Sequence, residues 1–524
     1  MQTCFDLVWL AAERTPDHLA IVDDQSDRQL TYSQLIDEIE AVAVGLQQRG
    51  VKPGDRIATV LPSLFDHVIV LLALQRLTAV PALINFRLKP EEIAQLIELG
   101  ELTGAVIPAD ENMAAVLKEA LPEGAPLLSV GGAAGPAEDY AQCRGDGSSL
   151  SAAPIPDRED EAFIFYTSGT TGLPKGVVLA QKTVEHRILW ISTQAGYRYG
   201  THNVSLGFMP LSHAIGYFGV LLLTLAHNGT YHVMSAFNPV AANDAVKNLG
   251  VNYLFAVPQL LFAMTKAPNY DPAKMKSLEL VLHGGAEISG DLLDQIGAEW
   301  PCQIRHIYGT TETMNSLYHP NPVGHPLRLR PGFYSRIRII EVGGTPDQIV
   351  GVGQEGELII DANVDTIFSS YLNRPDATAE ALRDGWYYSG DVCLKHENGD
   401  VDLIGRVDDM IRSGGENIHP SEVEPTLESH PAIKEVSLIG IPDPKWGEMV
   451  VACLTAVDSD WVVEAAELDT FMKESTVADF KRPKAYVFMN ALPRNAANKI
   501  LRRELREIAV NTQAGDGDWD FVTV

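Results

Sequence analysis

A loop that combines hydroxyls, glycines and one lysine follows the short apolar run that ends at Tyr166. Its polar and glycine residues are Thr167, Ser168, Gly169, Thr170, Thr171, Gly172 and Lys175. Glycine lets backbone N–H groups approach phosphate oxygens, hydroxyls donate hydrogen bonds, and lysine supplies a compact positive charge. The loop therefore predicts a site for a triphosphate, and the alternative is a Ser/Gly-rich surface turn.

One well-known class of phosphate loop does not fit this stretch. The Walker pattern requires G-x-x-x-x-G-K-[ST]. Here Gly169 and Gly172 are too close together, and Lys175 is followed by Gly176. The spacing therefore argues against a P-loop NTPase.

A second group of reactive side chains directly follows the run 303–307. It consists of Tyr308, Gly309, Thr310, Thr311 and Glu312. Magnesium is commonly held by one or two carboxylates together with phosphate oxygens, so Glu312 is a candidate ligand for the Mg²⁺ of bound ATP. Taken alone, the same residues also fit an ordinary helix N-cap.

The bulk properties exclude several classes of protein. A chain of 524 residues should form more than one domain, because single cores stop growing at roughly 250–300 residues. The formal net charge of −29 argues against nonspecific nucleic-acid binding and against anionic membrane surfaces. No apolar run is long enough to span a bilayer, so we expect no membrane insertion. The sequence leaves the oligomeric state open, with a homodimer among the alternatives.

The cysteines indicate a reducing compartment. There are 5 of them, scattered along the chain and without a CxxC pair, so neither a disulfide framework nor a zinc site is predicted. The first residues lack a basic segment and a long apolar core, and therefore do not resemble a signal peptide. We expect a cytoplasmic protein.

Helical and strand patterns alternate through the first 400 residues, which favours an α/β fold. The clearest segments are 33–49 and 66–77 (helices) and 56–61 and 105–108 (strands). Beyond about residue 405 the pattern changes to that of a small α+β domain, with strands at 436–441 and 450–457 and a helix at 465–474. Ser421 and Glu424 have the spacing of a capping box and predict a helix start. We therefore expect domains at 1–407 and 408–524.

The motifs occur together, in one order along the chain. The loop at 167–175 is followed by Glu312, by Asp391, by the segment around Asp408, and by a basic segment that contains Lys499. This combination resembles the adenylate-forming enzymes, which include acyl-CoA synthetases, luciferases and peptide-synthetase adenylation domains. The resemblance covers essentially the whole chain and is strongest to the aryl-CoA ligases.

The resemblance implies a fold and a two-step reaction. The fold would be α/β, with a large N-terminal domain of sheets and a β-barrel-like part, and a small mobile C-terminal domain. A benzoate- or chlorobenzoate-like carboxylic acid would react with MgATP to give acyl-AMP and pyrophosphate, and coenzyme A would then take the acyl group and release AMP. The alternatives are an arylalkanoic, cinnamic or medium-chain fatty acid, or an adenylate-forming enzyme that does not use coenzyme A. A non-enzymatic binding protein is a third class.

The resemblance also implies roles for single residues. Lys499 would stabilise charge on the α-phosphate, Glu312 would hold Mg²⁺, Thr167 would contact the phosphates, and Asp408 would be a hinge. His213 would contact the substrate carboxylate or gate the adenylate, and a core histidine is the alternative. Most family members carry glycine before the lysine, whereas this chain has Asn498. Asparagine tolerates left-handed backbone better than other non-glycine residues, so the departure is mild.

The same resemblance implies three sets of binding residues, for the nucleotide, for coenzyme A and for the acyl group. Besides the loop and the residues 308–311, the nucleotide contacts would be Gly285, Ala286, Glu287, Asp391 and Arg406. The coenzyme A contacts would be Arg87, Gly414, Gly415, Trp446, Phe480, Arg482 and Lys484. The acyl pocket would be lined by Trp190, His213, Ala214, Ile215, Phe255, Gly284, Ile307, Gly309, Met314 and Asn315. A cluster of basic residues near the C-terminus (Lys481, Arg482, Lys484, Arg494, Lys499, Arg502 and Arg503) would face phosphate.

Overall fold

The chain forms two compact units. The computed structural model describes residues 3–23, 25–145, 150, 155–167, 174–286, 288–457, 464–494, 500–515 and 519–524. The first unit comprises Met1–Ile337 and Ile360–Tyr387, and the second comprises Arg338–Ile359 and Tyr388–Val524. Asp408 lies inside the second unit, and the division of the chain at that residue stays a prediction.

The helices of the first unit cover the faces of its sheets. They are α1 (Cys4–Arg14), α2 (Tyr32–Gln48), α3 (Phe65–Arg76), α4 (Pro90–Gly100), α5 (Glu111–Ala120), α6 (Gln181–Ala195), α7 (Leu223–Ala226), α8 (Pro239–Leu249), α9 (Pro258–Lys266), α10 (Gly290–Glu299) and α11 (Pro375–Ala381), with a π-helix at Ile215–Leu222. In α4, Ile93, Leu96 and Ile97 are buried because their spacing places them on one helix face. Among the described residues, no helix has both the length and the apolar character needed to cross a membrane.

Two sheets of mostly parallel strands form the core of the first unit. The strands of the first sheet are β3 (Arg56–Thr59), β4 (Val80–Leu83), β5 (Gly104–Pro108), β6 (Leu127–Val130), β7 (Glu138–Asp139), β8 (Glu161–Thr167), β9 (Lys175–Ala180) and β19 (Ser370–Tyr371), in the order β19-β9-β8-β4-β3-β5-β6-β7. The pairings of β9 with β8 and with β19 are antiparallel, and the others are parallel. Every residue of β4 is buried, as expected for a strand covered on both faces.

The second sheet of this unit carries the residues that matter most for the predicted acyl pocket. Its strands are β1 (Leu19–Asp23), β2 (Arg28–Thr31), β10 (Val204–Gly207), β11 (Thr230–Val233), β12 (Tyr253–Ala256), β13 (Leu280–His283), β14 (Gln303–Tyr308), β15 (Leu317–His319) and β16 (Arg328–Pro331). Their order is β16-β15-β14-β13-β12-β10-β11-β1-β2. Strands β12, β13 and β14 are parallel neighbours, so their carboxyl ends lie at one edge of the sheet.

The second unit is a smaller α+β assembly. Its helices are α12 (Pro420–Glu428), α13 (Ala465–Glu474) and α14 (Arg502–Ala514), and its sheet has the order β24-β23-β26-β27-β28, with β25 on β26. These strands are β23 (Ile411–Ser413), β24 (Glu416–Ile418), β25 (Ile433–Asp443), β26 (Gly447–Ala456), β27 (Ala485–Phe488) and β28 (Asp520–Thr523). Strands β17 (Ile337–Ile340), β18 (Glu355–Asp361) and β21 (Trp386–Lys395) carry the chain across the boundary of the two units. The remaining strands are β20 (Leu382–Arg383) and β22 (Val401–Arg406).

The predicted α/β class is confirmed, and the predicted segments agree with the observed ones within a few residues. One local prediction is wrong: the capping box does not begin at Ser421. Helix α12 begins at Pro420, and the N-cap is His419, whose N–H donates to Glu422 at 3.1 Å. Proline suits the first helical position because its missing N–H would have no partner there, so the helix starts earlier than the Ser/Glu spacing suggests. The Ser421 hydroxyl instead donates to the carbonyl oxygen of Ile404.

Three histidines form a row across the second sheet that the sequence analysis did not predict. His283 on β13 lies beside His306 on β14, which lies beside His319 on β15. The rings of His283 and His306 are stacked with their centroids 4.5 Å apart, and both residues are buried. Burial and the positive charge of His319 lower the pKa of His306 to about 4, and burial also lowers the pKa of His283. Both rings are therefore neutral at neutral pH.

The buried histidine on β14 should make the fold sensitive to acid. Because the pKa of His306 falls from 6.5 to about 4 on folding, the unfolded chain binds the proton more readily between these values, and acid lowers stability. We expect His306 alone to remove about 1–2 kcal/mol from the free energy of unfolding between pH 7 and pH 5. Urea denaturation at both pH values should show a smaller difference in His306→Gln than in the natural protein. The exposed His325→Gln is the control, and equal pH dependence in both variants would contradict the assignment.

Candidate functional site

The predicted phosphate loop is closed at its base by an antiparallel strand pair. Strand β8 ends at Thr167 and β9 begins at Lys175, and these two residues are register partners. The Thr167 hydroxyl donates to the carbonyl oxygen of Lys175 at 3.4 Å. The rest of the predicted loop, Ser168, Gly169, Thr170, Thr171 and Gly172, lies outside the described residues. The structure therefore fixes where the loop leaves and rejoins the sheet.

The carboxylate of Glu312 is buried and tied to this base by a tyrosine. The Tyr371 hydroxyl donates to Glu312 Oε1 at 2.7 Å, and Glu312 is 7% exposed. The Nζ atom of Lys175 lies 5.0 Å from the centroid of the same tyrosine ring. Burial and the neighbouring negative charge of Glu312 raise the pKa of Tyr371, so the phenol keeps its proton and donates it. The motif that ends at Glu312 and the phosphate loop that ends at Lys175 thus both contact Tyr371, a residue that the sequence did not point to.

A buried arginine fixes the backbone around Glu312. Arg187 on α6 is fully buried, and its guanidinium donates to the carbonyl oxygens of Thr311 at 3.0 Å, Glu312 at 3.3 Å and Thr366 at 2.9 Å. Burial lowers the pKa of Arg187 to about 9, while the charge of Glu312 opposes that shift. The N–H of Phe368 also donates to the Glu312 carbonyl, at 2.7 Å. The loop that carries the carboxylate is held on its backbone as well as on its side chain.

The turn that presents Thr310 and Glu312 has no room for a side chain at Gly309. A Cβ atom there would lie 1.2 Å from the carbonyl oxygen of Met314, whose φ of 60° is in the left-handed region. The N–H of Thr310 donates to the Thr313 hydroxyl at 3.2 Å, and the Thr310 hydroxyl lies 3.4 Å from that of Tyr387. Glycine is needed at position 309 because backbone packs directly on backbone.

Strand ends and helix α6 place the predicted acyl-pocket residues. Phe255 on β12, Gly284 just after β13 and Ile307 on β14 lie at the carboxyl ends of adjacent parallel strands. A Cβ at Gly284 would come within 2.2 Å of the Ile307 carbonyl oxygen, which again requires glycine. Trp190 is buried, and its ring meets that of Tyr318 edge-on at 6.3 Å. The structure thus brings three of the predicted pocket residues to one edge of the sheet.

His213 lies just before the π-helix that begins at Ile215. The N–H of His213 donates to the carbonyl oxygen of Pro210 at 3.0 Å. At Gly216 a Cβ would lie 2.1 Å from that same oxygen, so the loop packs closely on the first turn of the π-helix. Burial lowers the pKa of His213, and the positive charge of Arg87 lowers it further. The imidazole is therefore kept neutral, as a group that accepts a proton or a hydrogen bond must be.

In the second unit, the predicted ribose contacts are partners of each other. Asp391 on β21 is the register partner of Arg406 on β22, and Arg406 Nη1 donates to Asp391 Oδ1 at 2.8 Å. The same Nη1 atom donates to the carbonyl oxygen of Ser389 at 3.1 Å. Gly390, which lies between Ser389 and Asp391 in the chain, has a φ of 68°, and this left-handed conformation turns the strand at that point. Their role toward ribose stays a prediction.

The predicted hinge is held by the last helix of the unit. Arg506 on α14 donates to the carbonyl oxygen of Asp408 at 2.9 Å. Arg502, at the start of that helix, donates to Asp409 at 3.1 Å and to Glu424 at 2.7 Å. These contacts fix the turn around Asp408 in the described conformation, and the hinge role stays a prediction.

The predicted coenzyme A residues are gathered only in part. Gly414 and Gly415, with φ of 62° and 88°, form the turn between β23 and β24, as a two-residue hairpin requires. The N–H of Gly414 donates to the Trp446 carbonyl at 2.7 Å. Arg482, by contrast, is ion-paired with Asp469 at 2.5 Å and with Asp479 at 3.0 Å. The Nζ atom of Lys484 donates to the carbonyl oxygen of Asp479 at 3.3 Å, and Phe480 is exposed.

The other members of the basic cluster are largely neutralised by carboxylates. Lys481 pairs with Glu422, Arg494 with Glu435, and Arg503 with Glu507. Most of the described members of this cluster are therefore paired with carboxylates, and the role of the cluster toward phosphate stays a prediction. Lys499 and Glu287 lie outside the described residues, although Arg494 and Ile500, which flank the lysine segment, form an antiparallel bridge.

The residues that sequence reasoning missed lack a local signal. Tyr371 lies in a strand of two residues, and a tyrosine there is typical of an ordinary core position. Arg187 is a charged residue in the middle of a helix, where solvent exposure is the usual expectation. Only the tertiary fold places their polar atoms against Glu312, from 59 and 125 residues away.

Comparisons with known proteins agree with the geometry. A sequence model of AMP-binding enzymes matches residues 8–372, and one of the AMP-binding enzyme C-terminal domain matches residues 422–499. A 4-chlorobenzoate–CoA ligase from Arthrobacter sp is 43% identical over 97% of this chain and 95% of the relative. Another, from Pseudomonas sp. (strain CBS-3), is 38% identical over 97% of this chain and 94% of the relative.

Solved structures share the fold at lower identity. The o-succinylbenzoate CoA synthetase of Bacillus subtilis, in complex with its acyl-adenylate intermediate, has a TM-score of 0.83 at 24% identity, covering 96% of this chain and 98% of that one. ATP-bound MatB from Rhodopseudomonas palustris has a TM-score of 0.84 at 24% identity, covering 97% and 99%. The B. subtilis enzyme has also been solved with ATP and a magnesium ion.

The close packing at Gly309 gives a direct test of the turn. Gly309→Ala should weaken the binding of MgATP at least tenfold, because the new Cβ would displace the Met314 carbonyl and with it the loop that carries Glu312. Isothermal calorimetry measures the affinity. Gly290→Ala is the matched control, since a Cβ there meets nothing within 4 Å. A folded Gly309→Ala protein with natural affinity would show that the turn does not position the nucleotide site.

Proposed function

Because the chain belongs to the family of AMP-binding enzymes, we propose that it is an ATP-dependent ligase that joins an aromatic carboxylic acid to coenzyme A. The observation that carries the proposal is the 43% identity to a 4-chlorobenzoate–CoA ligase over 97% of the chain. The family predicted from the motifs is confirmed by the two family matches. The proposed acid is benzoate- or chlorobenzoate-like.

In the first half-reaction, an oxygen of the acid forms a bond to the α-phosphorus of ATP, and the bond from that phosphorus to the bridging oxygen of pyrophosphate breaks. The chain's own contribution is positioning and charge neutralisation, and no protein nucleophile is needed. Mg²⁺ supplies neutralisation of phosphate charge when it is bound. The buried Glu312 carboxylate fits this cation, because Mg²⁺ takes carboxylate oxygens as ligands and Tyr371 fixes one oxygen of this carboxylate, which orients the other.

In the second half-reaction, the sulfur of coenzyme A forms a bond to the acyl carbon and AMP leaves. The proposed route of the thiol passes the Gly414 and Gly415 turn, where the absence of side chains lets an extended ligand approach the backbone. Asp408 is the proposed hinge between the two half-reactions. Arg87 and Lys484 supply charge opposite to that of the nucleotide phosphates, in a chain that is otherwise strongly acidic.

The proposed acid is aromatic because the predicted pocket is lined mainly by flat and branched apolar groups. Phe255 and Ile307 lie at the ends of β12 and β14, the two strands that flank β13, and the buried Trp190 is on α6. Such walls suit a ring, and the bulk of Trp190 disfavours a long alkyl chain. The neutral His213 is proposed to contact the carboxylate of the acid. The 5 cysteines, all free thiols, support a reducing, cytoplasmic location.

The substrate class is tested by pyrophosphate release with a panel of acids. Benzoates, cinnamates, arylpropionates and medium-chain fatty acids are compared, each with and without coenzyme A. We expect the highest kcat/KM with benzoates, multiple turnovers only with coenzyme A, and AMP as a product. Preference for an aliphatic acid would overturn the substrate class, and turnover independent of coenzyme A would indicate another adenylate-forming reaction.

Lys499 is proposed to act in the first half-reaction alone. Lys499→Ala should slow adenylate formation by roughly 100- to 1,000-fold, the usual effect of removing one stabilising charge or donor. Thioester formation from supplied acyl-adenylate should stay within a few-fold of the natural rate. Arg503→Ala, an exposed residue of the same segment, is the control. Equal losses in both half-reactions would contradict this role.

A further inference from the structure

Tyr371 is the point at which the predicted ATP-binding elements of the first unit meet. Its hydroxyl donates to Glu312 Oε1 at 2.7 Å, and the Nζ atom of Lys175 lies over its ring at 5.0 Å from the centroid. The ring of Phe368 packs against both Tyr371, at 4.8 Å, and Tyr387, at 5.8 Å. The Tyr387 hydroxyl in turn lies 3.4 Å from that of Thr310. One small aromatic group therefore touches a lysine, a carboxylate and, through its neighbours, a threonine.

The backbone of Tyr371 is fixed more firmly than a strand of two residues normally is. Tyr371 is the register partner of Val177 on β9, and the N–H of the following Leu372 donates to the Gly176 carbonyl at 2.7 Å. The N–H of Tyr371 itself donates to the Thr378 hydroxyl at 2.9 Å. Because β9 begins at Lys175, the tyrosine is anchored to the same strand that ends the phosphate loop.

This arrangement suits the orientation of a carboxylate toward a cation. A carboxylate on a flexible side chain can rotate, and a hydrogen bond to one oxygen selects a single orientation for the other. The Tyr371 phenol can only serve as donor here, since the partner is an ionised carboxylate that accepts. The positive ammonium group of Lys175 is attracted by the negative face of the Tyr371 ring, which keeps it beside the tyrosine.

We propose that Tyr371 is a positioning residue that orients Glu312 toward the Mg²⁺ of MgATP and holds the ammonium group of Lys175, the first residue of β9, over its ring. This inference rests on the proposed function, in which Glu312 is the magnesium ligand. A purely structural role, in which the hydroxyl merely satisfies a buried carboxylate, would affect folding without changing the dependence on metal. The two roles therefore differ in a measurable property other than activity.

The test uses binding of α,β-methylene-ATP, which cannot transfer its α-phosphate to an acid. Calorimetry on the full chain measures the affinity with saturating Mg²⁺ and with EDTA. Tyr371→Phe removes only the hydroxyl and keeps the ring under Lys175. We expect a 10- to 100-fold loss of affinity for the magnesium-loaded nucleotide, the usual effect of removing a group that orients a metal ligand, and less than a twofold change in EDTA.

Two further variants separate positioning from folding. In Glu312→Gln the carboxylate is lost, so adding Tyr371→Phe should cause little further loss, because both changes remove the same metal interaction. Tyr32→Phe removes another buried hydroxyl of the first unit, which bonds the carbonyl oxygens of Leu225 and Gly229, and should leave the magnesium dependence unchanged. Thermal denaturation of each variant verifies that it is folded.

The outcomes distinguish this inference from the proposed function. Equal loss of affinity with and without Mg²⁺, no loss at all, or full additivity with Glu312→Gln would overturn the positioning role. The natural protein could bind the analogue in a metal-dependent way that requires Tyr371 and yet release no pyrophosphate from ATP with any aromatic acid. In that case the positioning role of Tyr371 holds and the substrate proposal fails. The same measurements therefore decide the two questions separately.

Discussion

The buried carboxylate of Glu312 imposes the strongest physical constraint on the first unit. A charge removed from water is costly unless it is hydrogen-bonded or paired, and this one has a tyrosine donor at 2.7 Å. Arg187, itself buried, donates hydrogen bonds to backbone carbonyl oxygens of the same loop, and these bonds hold its positive charge close to Glu312. Because Arg187 and Trp190 are three residues apart on α6, they share one helix face. A single helix therefore supports the nucleotide loop and also supplies a wall of the proposed acyl pocket.

In the second unit, the main electrostatic feature is the pairing of basic side chains with carboxylates. Its basic cluster lies within a chain of net charge −29, and most of the cluster members that the structure describes, namely Lys481, Arg482, Arg494, Arg502 and Arg503, contact a carboxylate. Arg482 has the least exposed side chain among them, with Asp469 and Asp479 as partners. Such pairs add little stability when they are exposed, but they give each long side chain a defined position. The acidic composition of the chain thus serves as an internal source of counter-ions.

Residue types and spacing predicted the fold class, the family, and the principal strands and helices. These predictions succeeded where the signal is local, as in helix α13 and strand β5, whereas the roles of the nucleotide-site residues stay predictions. One failure is local: Pro420 begins the helix, which moves the cap to His419. The other failures occur where the decisive contact is tertiary, since Tyr371 and Arg187 reach Glu312 from distant segments. The histidine row on β13 to β15 was missed for the same reason, since only strand order brings these rings together.

The π-helix at Ile215–Leu222 has a consequence for how the site could change over time. A π-helix has a wider turn than an α-helix and typically accommodates one extra residue. Loss of a single residue within it would restore ordinary helical geometry without disturbing its apolar character. The preceding segment would then rotate by about 100°, the angle of one α-helical residue, and carry His213 away from its present direction. The direction of His213, the residue proposed to contact the acid, therefore depends on chain length at this point as well as on side-chain type, and insertions or deletions here offer a route to new specificity.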